Sequence, residues 1–181
     1  MALLENDLIR LRALEPEDLD ALFRWENDSD LWAYGSALAP YSKFALREYI
    51  SEARHDIFQS RQLRLMIVLK ENDSTAGAID LYDFDPMNLR AGVGILLDSA
   101  HRGKGLGFHV LKLLEDYAFN FLFLKQLYAY IPQKNTASMK LFTRCGYKQT
   151  ACLNQWLKCG DHFENVNVLQ LINPKSTSPI L

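Results

Sequence analysis

An apolar stretch, Leu89 to Leu97, ends at Asp98 and turns through Ser99-Ala100-His101-Arg102-Gly103-Lys104-Gly105-Leu106-Gly107 into a long helical pattern, roughly Lys104 to Phe121. A strand that empties through a basic, glycine-rich turn into a helix commits the chain to an α/β architecture, because the helix must pack back on the sheet that the strand joins. Glycines at 103, 105 and 107 let the backbone turn sharply and leave its amides open to close approach. The helix leaves its first amides unpaired at the end where its dipole is positive. Arg102 and Lys104 add two charges at the same spot, and an arginine can grip phosphate in a forked geometry. Arg102-x-x-Gly105-x-Gly107 therefore reads as a pyrophosphate cradle.

Spacing excludes the two commonest phosphate loops. A Walker loop needs Ser or Thr after its lysine, and Gly105 follows Lys104. A dinucleotide fingerprint counted from Gly103 and Gly105 needs a third glycine where Phe108 stands. The remaining composition narrows the class further. The chain has 181 residues, 49% of them hydrophobic, which suits one domain with a real core, expected over residues 1–172 with a loose tail at 173–181. A net charge of -2 gives no basic field for nucleic acid. Glu5, Asn6 and Asp7 interrupt any signal-like run, and no run reaches the roughly 20 apolar residues of a membrane span, so a cytoplasmic protein without membrane contact is expected. Cys145, Cys152 and Cys159 lie seven apart, and the four histidines form no ligand pair, so no structural metal is expected.

Taken in order, Leu8 to Leu14 alternates as a first strand, and Pro16-Glu17-Asp18 opens a short helix to about Asn27. Trp25 to Gly35 mixes aromatic residues with carboxylates, a composition suited to receiving a cationic amine and equally to a solvated helix-end loop. Ser42 caps a second helix whose expected stripe is Ala45, Leu46, Tyr49, Ile50 and Ala53. His55 to Gln62 reads as a polar turn. Strands follow at 63–69, 77–84 and 89–97 as a meander. The helix after the glycine loop presents Leu106, Val110, Leu113, Leu114, Tyr117 and Phe121, and a fifth strand at 127–131 should run parallel to the fourth. Asn135 caps a helix that Gly146 stops, and strands at 147–157 and 163–172 finish the pattern.

This order of elements, the Arg102-x-x-Gly105-x-Gly107 loop and a second motif, Asn135-Thr136-Ala137-Ser138-Met139-Lys140-Leu141-Phe142 followed by Gly146-Tyr147, resemble the GCN5-related N-acetyltransferase (GNAT) family. Leu8 to Asp18 and Trp25-Glu26-Asn27-Asp28 look most like its branch of ribosomal-protein alanine and polyamine N-acetyltransferases. The resemblance implies an acyl-CoA N-acyltransferase fold, a mixed, splayed sheet of about seven strands with about four helices. It implies transfer of an acetyl group from acetyl-CoA to a primary amine, by direct attack in a ternary complex. The amine would be a polyamine, another small amine or a protein amino terminus. In the family the pantetheine arm bonds the edge of the fourth strand, here Ile95, Leu96 and Leu97. The pyrophosphate would lie on Arg102, Gly103, Lys104, Gly105, Leu106 and Gly107, with Asn135, Ser138 and Phe142 beside the arm. A homodimer is plausible in such a family.

Two departures bear on catalysis. Phe142 stands where many relatives carry a tyrosine that protonates the leaving thiolate, and Gly92 stands where the branch often has a carboxylate. Ser138 is the candidate to bond the departing sulfur, and Asp80 to accept the amine's proton, because Asp80 and Tyr82 share a strand face. Trp25, Glu26, Tyr34, Asp80 and Tyr82 are the candidate acceptor residues. Positioning is worth roughly 7–11 kcal/mol and a general acid or base about 10²–10⁴-fold, so an enzyme lacking both usual groups remains physically sound. The competing reading keeps the acyl-CoA-binding body as a sensor or scaffold with weak or no turnover.

Overall fold

The computed structural model describes residues 3–28, 39–52 and 56–175. Its elements are β1 (Ile9–Ala13), α1 (Leu19–Glu26), α2 (Lys43–Glu52), α3 (Ile57–Ser60), β2 (Leu63–Leu69), β3 (Thr75–Asp85), β4 (Arg90–Leu97), α4 (Leu106–Asn120), β5 (Gln126–Pro132), α5 (Thr136–Arg144), β6 (Lys148–Cys159) and β7 (His162–Ile172). Short 3-10 turns precede α1 at Pro16–Asp18 and the glycine loop at Ser99–His101. The seven strands form one mixed sheet in the order β1-β2-β3-β4-β5-β7-β6. Every neighbouring pair is antiparallel except β4 and β5, which run parallel as the intervening helix requires. Among the described residues no helix is long and apolar enough to cross a membrane.

Strand alternation sends side chains to two cores. Leu65, Ile67, Ile79, Leu81 and Val93 meet Val110, Leu111 and Leu114 of α4 on one face. Met66 and Ala78 meet Leu22 and Trp25 of α1 with Leu46 and Ile50 of α2 on the other. Each fully buried leucine or isoleucine contributes roughly 1.5–3 kcal/mol of transfer energy, which chain entropy largely offsets. The feature that positions a site is the seam between β4 and β5. Register pairs join Arg90 to Gln126, Ala91 to Leu127 and Gly92 to Tyr128, and the pairing stops there, while β5 goes on pairing with β7 to Pro132. From Val93 onward β4 therefore parts from β5.

Several expectations need correction. The segment read as a polar turn contains α3: Ile57 is buried, Asp56 caps the helix by accepting the Gln59 amide at 2.9 Å, and Arg61 ends it at φ 58°. That brings the described α-helices to five. The buried stripe of α4 is rotated from the one expected: Gly107, Val110, Leu111, Leu114 and Ala118 face the sheet, while Phe121 is 54% exposed. Ala45 is exposed on α2, and Ala53 lies outside the described residues. The tail does not loosen at 173. Asn173 is buried, its backbone amide donating to the Lys125 carbonyl at 2.9 Å and its Nδ2 to the Leu124 carbonyl at 3.2 Å. Residues 176–181 lie outside the described ones.

The β1 to α1 connection rests on one ion pair. Arg12 donates Nη1 and Nη2 to the two carboxylate oxygens of Asp18 at 2.7 and 2.8 Å, and the Glu15 amide donates to Asp18 at 2.9 Å. Asp18 is 4% exposed, so removing its charge leaves the half-buried Arg12 without its carboxylate partner, with the Ala13 carbonyl still accepting from Nη1 at 3.0 Å. Asp18→Ala is expected to lower unfolding free energy by about 3 kcal/mol in urea titration, with Asp18→Asn losing less because one acceptor oxygen survives.

Candidate active site

The glycine loop is built by backbone geometry. Gly103 and Gly105 adopt φ 74° and 80°, left-handed values that other residues reach only with strain, and a Cβ at either would meet nothing within 4 Å. The loop is therefore open around both glycines. Gly105 is the N-cap of α4 and supplies no side-chain cap, so the first-turn amides at Leu106 and Gly107 are available to an anion. Gly107 serves packing instead: a Cβ there would come 2.9 Å from Leu141 and 3.6 Å from Leu97, so glycine lets α4 start in contact with both α5 and the end of β4. Arg102 folds back to donate Nε to the Leu97 carbonyl at 2.8 Å, which ties the basic loop to β4. Lys104 is exposed beside it.

Two aromatic rings mark where the strands part. Tyr82 is the register partner of Gly92, and its ring lies where a side chain at 92 would be, with ring carbons 2.3 and 2.4 Å from an ideal Cβ. The register shift immediately after Tyr82, with Asp83 at φ 48°, twists β3 and leans that ring across β4. The space of the missing fourth-strand carboxylate is thus filled by Tyr82. Burial, the neighbouring Tyr128 and Tyr130 hydroxyls and the Asp83 charge hold its phenol well above the ordinary tyrosine range, opposed by the Tyr130 backbone N–H, so Tyr82 is a neutral group here. Tyr128 meets the Tyr82 ring edge-on at 6.0 Å and Tyr130 at 5.5 Å, and burial with the charge of Asp83 pushes Tyr128 up to about 12. Beyond Gly92, residues Ile95, Leu96 and Leu97 are half-buried along the stretch of β4 that has no pairing with β5.

On α5, Asn135 accepts the Ser138 amide at 3.1 Å and caps the helix. Ser138 is half-buried in the first turn. Phe142 lies one turn deeper, 2% exposed and edge-on to Tyr147 at 4.9 Å, so it belongs to the core wall behind the opening.

The acceptor candidates fall into three situations. Tyr34 lies outside the described residues, as do Trp32 and Gly35. Trp25 is buried at 4% exposure with its indole N–H donated to Asp98 at 2.9 Å, so it pins α1 to the end of β4 and presents no ring face to an amine. Glu26 and Asp80 do come together with Tyr82 on one sheet face, but through a residue that the sequence reading passed over. Arg64 donates Nη1 to Glu26 at 2.8 Å, Nε to Asp80 at 2.7 Å and Nη2 to the second Asp80 oxygen at 3.1 Å. Asp80, expected to accept the amine's proton, has both its carboxylate oxygens held by the Arg64 guanidinium. Burial opposes the Arg64 charge, and the carboxylates of Asp80 and Glu26 outweigh that, raising its pKa above the usual arginine value. The signal for Arg64 was a lone charge inside the apolar run Leu63-Arg64-Leu65-Met66. Asp98, also missed, accepts from Trp25, from Arg24 at 3.0 Å and from the Ala100 amide at 3.1 Å.

Comparison with known proteins fits this geometry. A family model described as an acetyltransferase (GNAT) domain matches residues 9–148. The uncharacterized N-acetyltransferase p20 of Bacillus licheniformis is 26% identical over 173 residues, covering 95% of this chain and 97% of that protein. The spermidine N(1)-acetyltransferase of Escherichia coli K12 is 27% identical over 140 residues, 77% of this chain and 72% of the other. Among solved structures, spermidine N-acetyltransferase from Vibrio cholerae in complex with CoA and spermine superposes with a TM-score of 0.84 at 22% identity, over 92% of this chain and 96% of that one.

Two outcomes follow from the packing. Gly92→Ala is expected to cost about 1–3 kcal/mol of stability in denaturant titration, and Gly92→Ala with Tyr82→Ala less than the two single losses added, because the second change removes the ring that the new methyl strikes. The Trp25 indole N–H, with the Ala100 amide and Arg24, lowers Asp98 to about 2 against burial. A depressed folded pKa stabilises the protein above the unfolded value of about 3.8 and is lost as pH falls toward about 2. Asp98→Asn should therefore be less stable than the parent by roughly 2 kcal/mol near neutrality, with the gap narrowing between about pH 4 and 2 when unfolding is followed at each pH.

Proposed function

The chain belongs to the acetyltransferase (GNAT) family, and from that premise we propose that its domain, expected over residues 1–172, moves an acetyl group from acetyl-CoA to a primary amine within a ternary complex. The observation that carries this reading is the parting of β4 from β5 beside an anion-ready loop: the pairing ends at Gly92, and Arg102 ties the loop to Leu97 at the far end of the opened strand. Backbone groups along Ile95, Leu96 and Leu97 would bond the amide-bearing arm of the donor, since an unpaired strand edge takes such a chain readily. The amides of Gly103, Gly105, Leu106 and Gly107, with Arg102 and Lys104, would hold the pyrophosphate. A backbone N–H near Leu96 would polarise the thioester carbonyl as charge grows on its oxygen.

Proton handling follows from what the chain has and lacks. Ser138 would donate its hydroxyl to the departing thiolate, and Asn135 holds the turn that carries it. Phe142 shapes the apolar wall. Asp80 enters the proposal as the anchor of Arg64, and the amine's proton leaves through water at the open mouth of the cleft. The acceptor, a polyamine, another small amine or a protein amino terminus, would approach from the face of α1, where Glu26 and Tyr82 lie. The spermidine acetyltransferases among the relatives support an amine acceptor. One of them is described as dodecameric, and the largely exposed edge strand β6 offers this chain a surface for a second copy. The sensor reading keeps one specific support: Gly92 and Phe142 remove both usual proton-handling side chains.

Release of free thiol from acetyl-CoA in the presence of amine tests the reading. Turnover is expected, with Ser138→Ala lowering kcat about 10–100-fold and Arg102→Ala raising the KM for acetyl-CoA about tenfold with kcat little changed. Tight acetyl-CoA binding with no thiol release for any amine class would favour the sensor instead.

A further inference from the structure

The split between β4 and β5 has a closed end, and Tyr82 stands there. The last register pair of the two strands joins Gly92 to Tyr128, so the split begins immediately beyond it. Tyr82 reaches this point from β3, across the width of β4. Its ring carbons Cε2 and Cζ lie 2.3 and 2.4 Å from the ideal Cβ position of Gly92, and Cε1 lies 3.9 Å from that of Gly94. The hydroxyl end of the ring therefore covers the two glycines on either side of Val93, where the parting starts. On the far strand the Tyr130 backbone N–H donates to the Tyr82 hydroxyl, and the Tyr128 ring meets the Tyr82 ring edge-on at 6.0 Å. Both contacts come from β5, so Tyr82 bridges the two strands where their own pairing stops. The side of the split that faces α4 is packed: Val93, Ala129, Ile131 and Phe142 are buried in one cluster, and a close-packed interior has no room for added carbon.

Direction decides what meets the ring. The glycine loop sits at the Leu97 end of β4, tied there by Arg102. A donor with its pyrophosphate on that loop and its arm along Leu97, Leu96 and Ile95 runs toward Gly94 and Gly92, so its acyl group arrives at Tyr82. We propose that the Tyr82 ring sets the acyl-chain length that this protein accepts, a stop that leaves room for acetyl and blocks longer chains. Added methylenes gain affinity only where there is space to bury them, and forcing them against a packed ring costs strain. The assignment rests on the acetyltransferase reading and concerns its donor, whichever amine receives the group.

Calorimetric binding of CoA, acetyl-CoA and hexanoyl-CoA to the full chain reads the stop without an acceptor or turnover. Hexanoyl-CoA should bind the parent no more tightly than acetyl-CoA. Tyr82→Ala opens the space of the ring and should shift the affinity ratio toward hexanoyl-CoA by about tenfold or more, while CoA itself, with no acyl group, keeps the parent's affinity. Tyr82→Phe retains the ring and should keep the parent's ratio. Circular dichroism checks folding, and Tyr82→Leu, which fills the space in part, should move the ratio the same way by less if Tyr82→Ala is unstable. A parent that already prefers hexanoyl-CoA would overturn the stop with the donor reading intact. So would a ring-deleted protein with the parent's ratio, or a Tyr82→Phe protein that shifts as far as Tyr82→Ala. A parent that binds neither CoA nor its acyl esters would sink the donor reading and the stop with it.

Discussion

The structure depends on two parallel strands that refuse to stay paired. β4 and β5 share only the pairs at Arg90, Ala91 and Gly92 and then diverge inside the sheet, leaving backbone donors and acceptors on β4 without a neighbouring strand. Such groups are costly to bury unpaired, so the gap is stable only where water or a ligand can reach it. The chain keeps the opening in shape from three sides. Tyr82 fills the space at its closed end, because residue 92 has no side chain. Gly107 lets α4 press against Leu141 and Leu97 at the other end. Cys145 and Phe142 close the apolar wall behind. A ligand with amide groups and a pyrophosphate, as proposed for the acetyl donor, would satisfy the unpaired strand and the helix amino end together.

Charge compensation gives the fold its second constraint, and it acts mostly through α1. Asp18, just before that helix, holds Arg12 of β1. Trp25 and Arg24 in its last turn hold Asp98 at the end of β4. Glu26, its last residue, holds Arg64 of β2. This short helix and the turn before it are thereby fixed to two strands and, through Asp98, to the residue that follows β4 and opens the glycine loop. The proposed donor and acceptor sides would share these supports, so a change at Asp98 would reach both.

Much of this was legible in the chain. Strand alternation placed β1 to β4 within a few residues, and the glycine loop with its basic pair announced the α/β class. The Asn135 cap and the parallel fifth strand followed from turn chemistry and connection rules. What was hidden was long-range. Trp25 in an acidic stretch reads as pocket wall until the structure brings Asp98 to its indole nitrogen, 73 positions away. Asp80 reads as a free carboxylate until Arg64 arrives across the β2 to β3 pair. The rotation of α4 escaped because small residues, Gly107 and Ala118, face the sheet where periodicity alone favours the larger Tyr117 and Phe121.

The central claim is that the freed edge of β4 is the donor's binding surface, and backbone amide hydrogen exchange with and without acetyl-CoA tests it most directly. Slowed exchange confined to Val93–Leu97, the loop 102–107 and the first turn of α5 is the result this structure predicts. Protection elsewhere with β4 unchanged would contradict it, because the ligand would then be held without the parted strands.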